Sequence, residues 1–235
     1  MCFVLVLFQV HPSYPLVVAA NRDEDRARPS RSPFRWPGEP AIWAGRDEVA
    51  GGTWLGVSEH GVLAALTNRR DGTVDKALPS RGTLCLEVLH EAMPAAAAVR
   101  IDGLLTVPQN PFNLLAASPK EAWVRSWRGD VWQFTPGAHV LTNRGDPDDT
   151  QQPSVHRALA ATTLLDVESL ALDALLDALG KICADTTEPD PICKPGGPRG
   201  TVSSSLIALH PNGTIASYRH ADGPPSERPY ESVSL

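Results

Sequence analysis

Residues 1–25 read MCFVLVLFQVHPSYPLVVAANRDED, and this stretch decides both the fold and the chemistry to look for. Two apolar runs, 3–10 and 16–20, are rich in Val and Leu and flank the turn-forming segment His11-Pro12-Ser13-Tyr14-Pro15, which predicts an antiparallel hairpin. A cysteine stands directly behind Met1 at the head of the first strand, and the second strand runs out into the polar tetrad Asn21-Arg22-Asp23-Glu24. Pairing Val10 with Leu16 sets Val4 opposite Arg22 and Cys2 opposite Glu24, so thiol and polar cluster meet at one sheet end. Directly opposed residues share a face, which puts Arg22 and Glu24 on the side of Cys2. A one-residue slip would bring Asn21 and Asp23 there instead.

That juxtaposition has a chemical meaning. If Met1 is removed, Cys2 carries a thiol and a free α-amine on one residue, with ordinary pKa values of about 8.5 and about 7.7–8.0. The two are matched for proton exchange, so the amine can serve as the base that other hydrolases take from histidine. A nearby arginine would lower the thiol pKa and hold a substrate carboxylate, and a nearby aspartate would orient the arginine or the amine.

The remainder of the chain repeats the hairpin theme. TWLGVS (53–58) and VLAALTN (62–68) join through Glu59-His60-Gly61, and EAWVRSW (121–127) and VWQF (131–134) through Arg128-Gly129-Asp130. SSSLIALH (203–210) and TIASYRHA (214–221) join through Pro211-Asn212-Gly213, a strong hairpin signal. Helical pattern is confined to two regions: one capped by Ser80, carrying Leu84, Leu86, Val88 and Leu89 and ending near Pro94, and one over DVESLALDALLDALGKI (166–182). The proline-rich stretches 28–40, 146–153 and 185–199 read as loops. Hairpins and helices in separate blocks predict an α+β arrangement of packed sheets flanked by helices, and the absence of a linker predicts a single domain over 1–235.

Composition narrows the function classes. A net charge of -6 with only 21 Lys and Arg argues against a nucleic-acid binder, which presents a clustered basic surface. The 4 cysteines form no C-x-x-C and no disulfide framework, which fits a reducing, cytoplasmic setting. The apolar start is too short for a bilayer and lacks the flanks of a signal peptide, so no integral membrane segment is expected. The histidines show no metal spacing, and there is neither a phosphate loop nor a dinucleotide fingerprint; no metal and no cofactor are expected.

Beyond these readings, the chain resembles a known family. Met1-Cys2 before an apolar strand, LVVAANRDEDRARPS (16–30), AIWAGRDEVAGGTWLGVSEHGVLAALTNRR (41–70), SRG (80–82), VLTNRGD (140–146) and RGTVSSSLIAL (199–209) are similar in order to the NRDE family, also called the transport and Golgi organisation 2 family. The resemblance implies the N-terminal nucleophile (Ntn) hydrolase fold, an αββα four-layer sandwich of two antiparallel sheets between helical layers. It also implies a cysteine hydrolase acting on a small amide or thioester carbonyl. By that likeness Cys2 is nucleophile and base, Arg22 and Asp23 are the early charged pair, and Asn68 or Asn143 donates to the oxyanion. Adjacent residues of a straight strand point to opposite faces, so either the strand bulges or one of Arg22 and Asp23 serves the site. Asn21 and Glu24 join that cluster, and Arg46, beside Asp47, is a second cation for an anionic substrate. Gly52, Thr53 and Trp54 are a backbone approach to the ligand. Members of the family have been linked to haem trafficking and to acyl-CoA or lipid handling. A non-catalytic carrier for an apolar ligand such as haem or a fatty-acyl group is therefore the alternative to a small-molecule substrate.

Overall fold

The computed structural model describes residues 3–235. The strands are β1 (Phe3–Phe8), β2 (Leu16–Asp25), β3 (Ser30–Arg35), β4 (Ile42–Asp47), β5 (Leu55–Ser58) and β6 (Leu63–Asn68), followed by helices α1 (Gly82–His90) and α2 (Pro94–Leu104). Then come β7 (Phe112–Ala117), β8 (Ala122–Ser126), β9 (Val131–Gln133), β10 (Gly137–Thr142), α3 (Pro153–Thr163), α4 (Leu172–Cys183), β11 (Arg199–Leu209), β12 (Ile215–Ala221) and β13 (Glu231–Ser232). They form two antiparallel sheets, ordered β10-β1-β2-β11-β12-β13 and β3-β4-β5-β6-β7-β8-β9.

The layers follow from strand alternation. Even-numbered residues of β1 and β2 (Val4, Val6, Phe8, Leu16, Val18, Ala20) pack between the sheets against Trp54, Leu55, Leu63, Leu115 and Val124. Odd-numbered ones (Phe3, Leu5, Leu7, Val17, Ala19) pack against Val155 and Ala158 of α3 and Leu175, Leu176 and Leu179 of α4. On the outer face of the second sheet, Ile42, Ala64, Leu66 and Leu114 meet Leu84, Val88 and Leu89 of α1 and Ala97 and Ile101 of α2. The order is helices, sheet, sheet, helices, as expected. Because both faces of β1 are covered, FVLVLF is continuously apolar instead of alternating.

The first hairpin corrects the expected register. Phe8, not Val10, closes it against Leu16, and Val4 faces Ala20, with Phe3 opposite Asn21. Gln9 adopts φ 53 and donates its N–H to the Pro15 carbonyl at 2.6 Å, so β1 ends two residues earlier than its apolar run. The shift is by two residues, which preserves side-chain parity: Arg22 keeps the face of Val4 and Ala20.

Three expectations were too sparse. The stretch read as loop over 28–40 contains β3, an edge strand that tolerates Pro33 because one side of its ladder is unpaired. Helix α2 follows α1 directly, with Pro94 at its first turn as an initiator where a terminator was expected. Helix α3 starts in the same way at Pro153. Among the described residues no helix is long and apolar enough to cross a membrane.

Candidate functional site

The head of β1 is where the chemistry converges. Phe3 is flanked by Thr142 of β10 and by Asn21 of β2, so the next residue along each neighbouring strand is Asn143 on one side and Arg22 on the other. Arg22 lies two residues beyond Ala20, a side chain of the inter-sheet core, and shares its face; Asn143 follows the last residue of β10, with Arg70 against it. Cys2 itself falls outside the described residues. The other three cysteines, Cys85, Cys183 and Cys193, are buried. Burial raises the thiol pKa of Cys85, and pushes that of Cys183 up to about 12.

Arg22 is only 3% exposed. Its guanidinium carbon sits 4.1 Å from the centroid of the Trp54 ring, and Nη1 donates to Ser30 Oγ at 3.1 Å. Burial lowers its pKa, while Glu24 and Asp47 act in the opposite sense at longer range; among the described residues no carboxylate forms an ion pair with it. A buried, stacked cation with no paired anion can hold an incoming carboxylate or a developing negative charge.

Asp23 turns the other way. It accepts from Thr201 Oγ1 at 2.7 Å and from Lys194 Nζ at 2.8 Å. The bulge expected of this region lies in the partner strand: the β2–β11 register shifts between Thr201 and Ser203 while β2 runs straight. Arg22 and Asp23 are consequently divided between the two faces. Asn21 is fully buried on the helix side, donating from Nδ2 to the carbonyls of Cys183 at 2.8 Å and Ile192 at 3.1 Å. Glu24 Oε1 accepts from Asp25 N at 2.8 Å and from Arg199 at 3.2 Å, a strand-end role.

The two candidate asparagines separate. Asn68 alternates with Thr67, and its neighbours Leu66 and Phe112 belong to the α1–α2 face, so Asn68 lies toward the helices. Asn143 is 7% exposed and accepts two bonds through Oδ1 from Arg70, from Nε at 2.8 Å and Nη2 at 3.3 Å. Its backbone carbonyl also accepts from Arg70 N at 3.0 Å. The second sheet clamps this loop: Thr67 Oγ1 donates to the Thr142 carbonyl at 3.0 Å, and Asn113 Nδ2 to the Gly145 carbonyl at 3.1 Å. Arg69 then ties Asn113 Oδ1 (3.2 Å) to Asp146 (2.7 Å). A cavity of about 90 Å³ opens here, lined by Phe3, Arg70, Asn143, Asp190, Ile192 and Lys194 among others.

The remaining sequence candidates have structural partners. Gly52 is where the backbone approaches another backbone: a Cβ there would lie 2.5 Å from Gly82, the first residue of α1. Thr53 donates its N–H to the Gly82 carbonyl at 3.1 Å, so the GGTW and SRG segments meet in space. Trp54 is the platform under Arg22. Arg46 is exposed, 4.0 Å from Glu48, and does not line the cavity; Asp47 pairs with Arg28 at 2.8 Å.

The sequence reading passed over Arg69, Arg70 and Asn113. The dipeptide Arg69-Arg70 follows Asn68 within the family-like stretch and is the signal that was available; Asn113 offered none beyond its place before an apolar run. A second cleft, about 650 Å³, lies between β3 and β12, lined by Ser32, Pro33, His220, Asp222, Arg228 and Glu231 among others.

Two facing antiparallel sheets covered on both outer sides by helices define the class: the fold is that of the Ntn hydrolases. Solved structures of this class superpose over most of the chain. An N-acylethanolamine-hydrolyzing acid amidase ortholog from Caenorhabditis elegans aligns with TM-score 0.62 at 12% identity, covering 90% of this chain and 93% of that one. Penicillin V acylase from Agrobacterium tumefaciens aligns with TM-score 0.58 at 13% identity, covering 94% and 83%. At this identity the likeness concerns the fold alone. The model of the Transport and Golgi organisation 2 family matches residues 1–217, and the chain belongs to that family. The Homo sapiens Transport and Golgi organization protein 2 homolog is 35% identical over 158 residues, 63% of this chain and 52% of that protein. The Bos taurus homolog is 35% identical over 157 residues, 61% and 57%. The chain thus spans little more than half the length of these relatives.

Proposed function

We propose that this protein is a cysteine hydrolase of the N-terminal nucleophile type, acting on a small amide or thioester. Once Met1 is removed, the Cys2 thiol passes its proton to its own α-amine and the sulfur attacks the substrate carbonyl carbon. The carbonyl oxygen takes up the negative charge, and Asn143 donates to it. Collapse expels the amine or thiol, which leaves with the proton held by the α-amine. Water then cleaves the acyl–sulfur bond with the same amine as base. Arg22 holds an anionic group of the substrate or stabilises the thiolate.

The observation carrying this reading is the register of β10, β1 and β2. One peptide unit, about 3.8 Å between Cα atoms, joins Cys2 to Phe3, and the residues next along both flanking strands are Asn143 and Arg22. The titles of the superposable structures, an amidase and an acylase, support the same reaction class. Neither of the two cavities described above is lined chiefly by apolar side chains, which weighs for a polar acyl substrate over a haem or lipid cargo.

Intact-mass analysis of protein from its native host should show the loss of Met1. Incubation with p-nitrophenyl acetate should then release nitrophenolate and add one acetyl group to the chain. Cys2→Ala should lower that rate by about 10² or more. Retention of Met1, or equal rates for both proteins, removes the proposal.

A further inference from the structure

An amide side chain has two ends of opposite character, and only one of them serves as an oxyanion donor. If the Asn143 carbonyl faced the substrate, it would repel the developing charge instead of stabilising it. The position of Arg70 resolves which end is offered. A guanidinium donates and cannot accept, so the Asn143 atom 2.8 Å from Nε and 3.3 Å from Nη2 must be Oδ1. The opposite end faces only acceptors, as an N–H₂ requires. Arg70 also donates its backbone N–H to the Asn143 carbonyl at 3.0 Å, so three donors of one residue fix the asparagine from the same side.

We infer that Arg70 is a positioning residue, orienting the Asn143 amide so that its N–H₂ points toward the reacting carbonyl. The inference rests on the hydrolase reading above and adds a residue to it. No acidic side chain forms an ion pair with Arg70 among the described residues, and both Arg70 and Asn143 line the cavity at the head of β1. The guanidinium is therefore committed to Asn143 and not to a surface carboxylate. Arg69, its neighbour, has the contrasting role: it is buried and paired with Asp71 and Asp146, and it holds the loop.

The test uses the processed full chain and p-nitrophenyl acetate, a neutral acyl donor that gives Arg70 no charge to bind. Arg70→Met removes the donors while keeping the aliphatic stem, and Arg70→Lys keeps one donor. Loss of one oxyanion donor costs about 10²–10³ in rate, so Asn143→Ala should slow acylation by that factor. Arg70→Met should slow it by about 10-fold or more at unchanged half-saturation. Adding Arg70→Met to Asn143→Ala should cost nothing further, and Arg70→Lys should recover part of the rate. A second readout needs no turnover: the Asn143 side-chain N–H₂ resonances should shift in Arg70→Met and return toward wild type in Arg70→Lys. Additive rate losses, or unmoved resonances, overturn the inference. If the wild-type chain is acylated no faster than Cys2→Ala, the hydrolase reading fails, and the resonances alone still decide whether Arg70 sets the amide.

Discussion

At the scale of single residues, two histidines report how differently this fold treats the same ring. His220, 7% exposed on β12, has Nδ1 2.9 Å from Ser205 Oγ and lines the larger cleft near Asp222, Arg228 and Glu231. Burial lowers its pKa to about 4, against the opposing pull of Asp222. The unfolded chain protonates this residue near pH 6.5, so between about pH 6.5 and 4 the unfolded state binds the extra proton. Stability is full above that window and is lost as pH falls through it, by on the order of 3 kcal/mol. His139 runs in the opposite sense. Burial would lower its pKa, but the 2.7 Å contact with Asp148 and the 2.8 Å contact with the Thr135 carbonyl outweigh burial and raise it. Its contribution is present below pH 6.5 and is lost as pH rises through the raised value. Thermal melts of wild type, His220→Gln and His139→Gln from pH 4 to 8 check both signs. His220→Gln should flatten the loss on the acid side, and His139→Gln should flatten the loss on the alkaline side.

Between elements, the sandwich is tied at both ends by small contacts that strand patterning does not announce. At the site end, Thr67 and Asn113 of the second sheet bond to the carbonyls of Thr142, the last residue of β10, and of Gly145 in the loop after it. At the far end, the β5–β6 and β11–β12 turns touch: a Cβ on Gly61 would lie 2.5 Å from Gly213, and both glycines have positive φ, 73° and 88°. Gly61→Ala therefore combines a left-handed backbone penalty with an overlap against backbone that has no rotamer to yield. Denaturant melts should show it destabilised by about 1–3 kcal/mol, with the acetylation rate at the opposite end unchanged. These contacts also explain what was legible beforehand. The Asn-Gly turn at 212–213, the apolar runs of β1, β2, β5 and β6 and the helical period of α4 are local signals, and the sequence carries them. The register of β1 depends on the backbone of Gln9, and the division of Asn68 from Asn143 depends on strand parity far from either turn. The use of Gly52 against Gly82 joins segments thirty residues apart, where no local pattern reaches. Of the tetrad at 21–24 that the sequence singled out, only Arg22 stacks on Trp54 between the sheets, while Asn21, Asp23 and Glu24 bond elsewhere. The contacts among Arg70, Asn113 and Asn143 came from pairings that only the assembled sheets supply.

On the scale of the molecule, the four layers enclose three apolar clusters, one between the sheets and one under each helical layer, and each of the outer two holds a buried thiol. Cys85 belongs to α1 and packs with the outer face of the second sheet, and Cys183 belongs to α4 and packs with the outer face of the first. Cys193 lies in the segment before β11, with Sγ 3.4 Å from Ser226 Oγ. Between the helical layers, the inter-sheet core draws Val4, Val18, Leu141 and Ile207 from one sheet and Leu55, Leu63, Leu115 and Val124 from the other. Burying that apolar surface is worth about 25 cal/mol per Å², and neither sheet retains it once they part. Loss of one helical layer alone would leave its sheet face wet while the inter-sheet core stayed closed, so layered unfolding is an available alternative. The thiols distinguish the two. Pulsed labelling with a maleimide across a denaturant series, read residue by residue by mass spectrometry, should show Cys85 and Cys183 becoming reactive with the same midpoint, as cooperative opening of the inter-sheet core requires. Cys193, outside both helical layers, should follow at that midpoint or below it. If Cys85 or Cys183 is labelled at distinctly lower denaturant than the other, the corresponding helical layer opens by itself, and the inter-sheet core is not what holds the sandwich together.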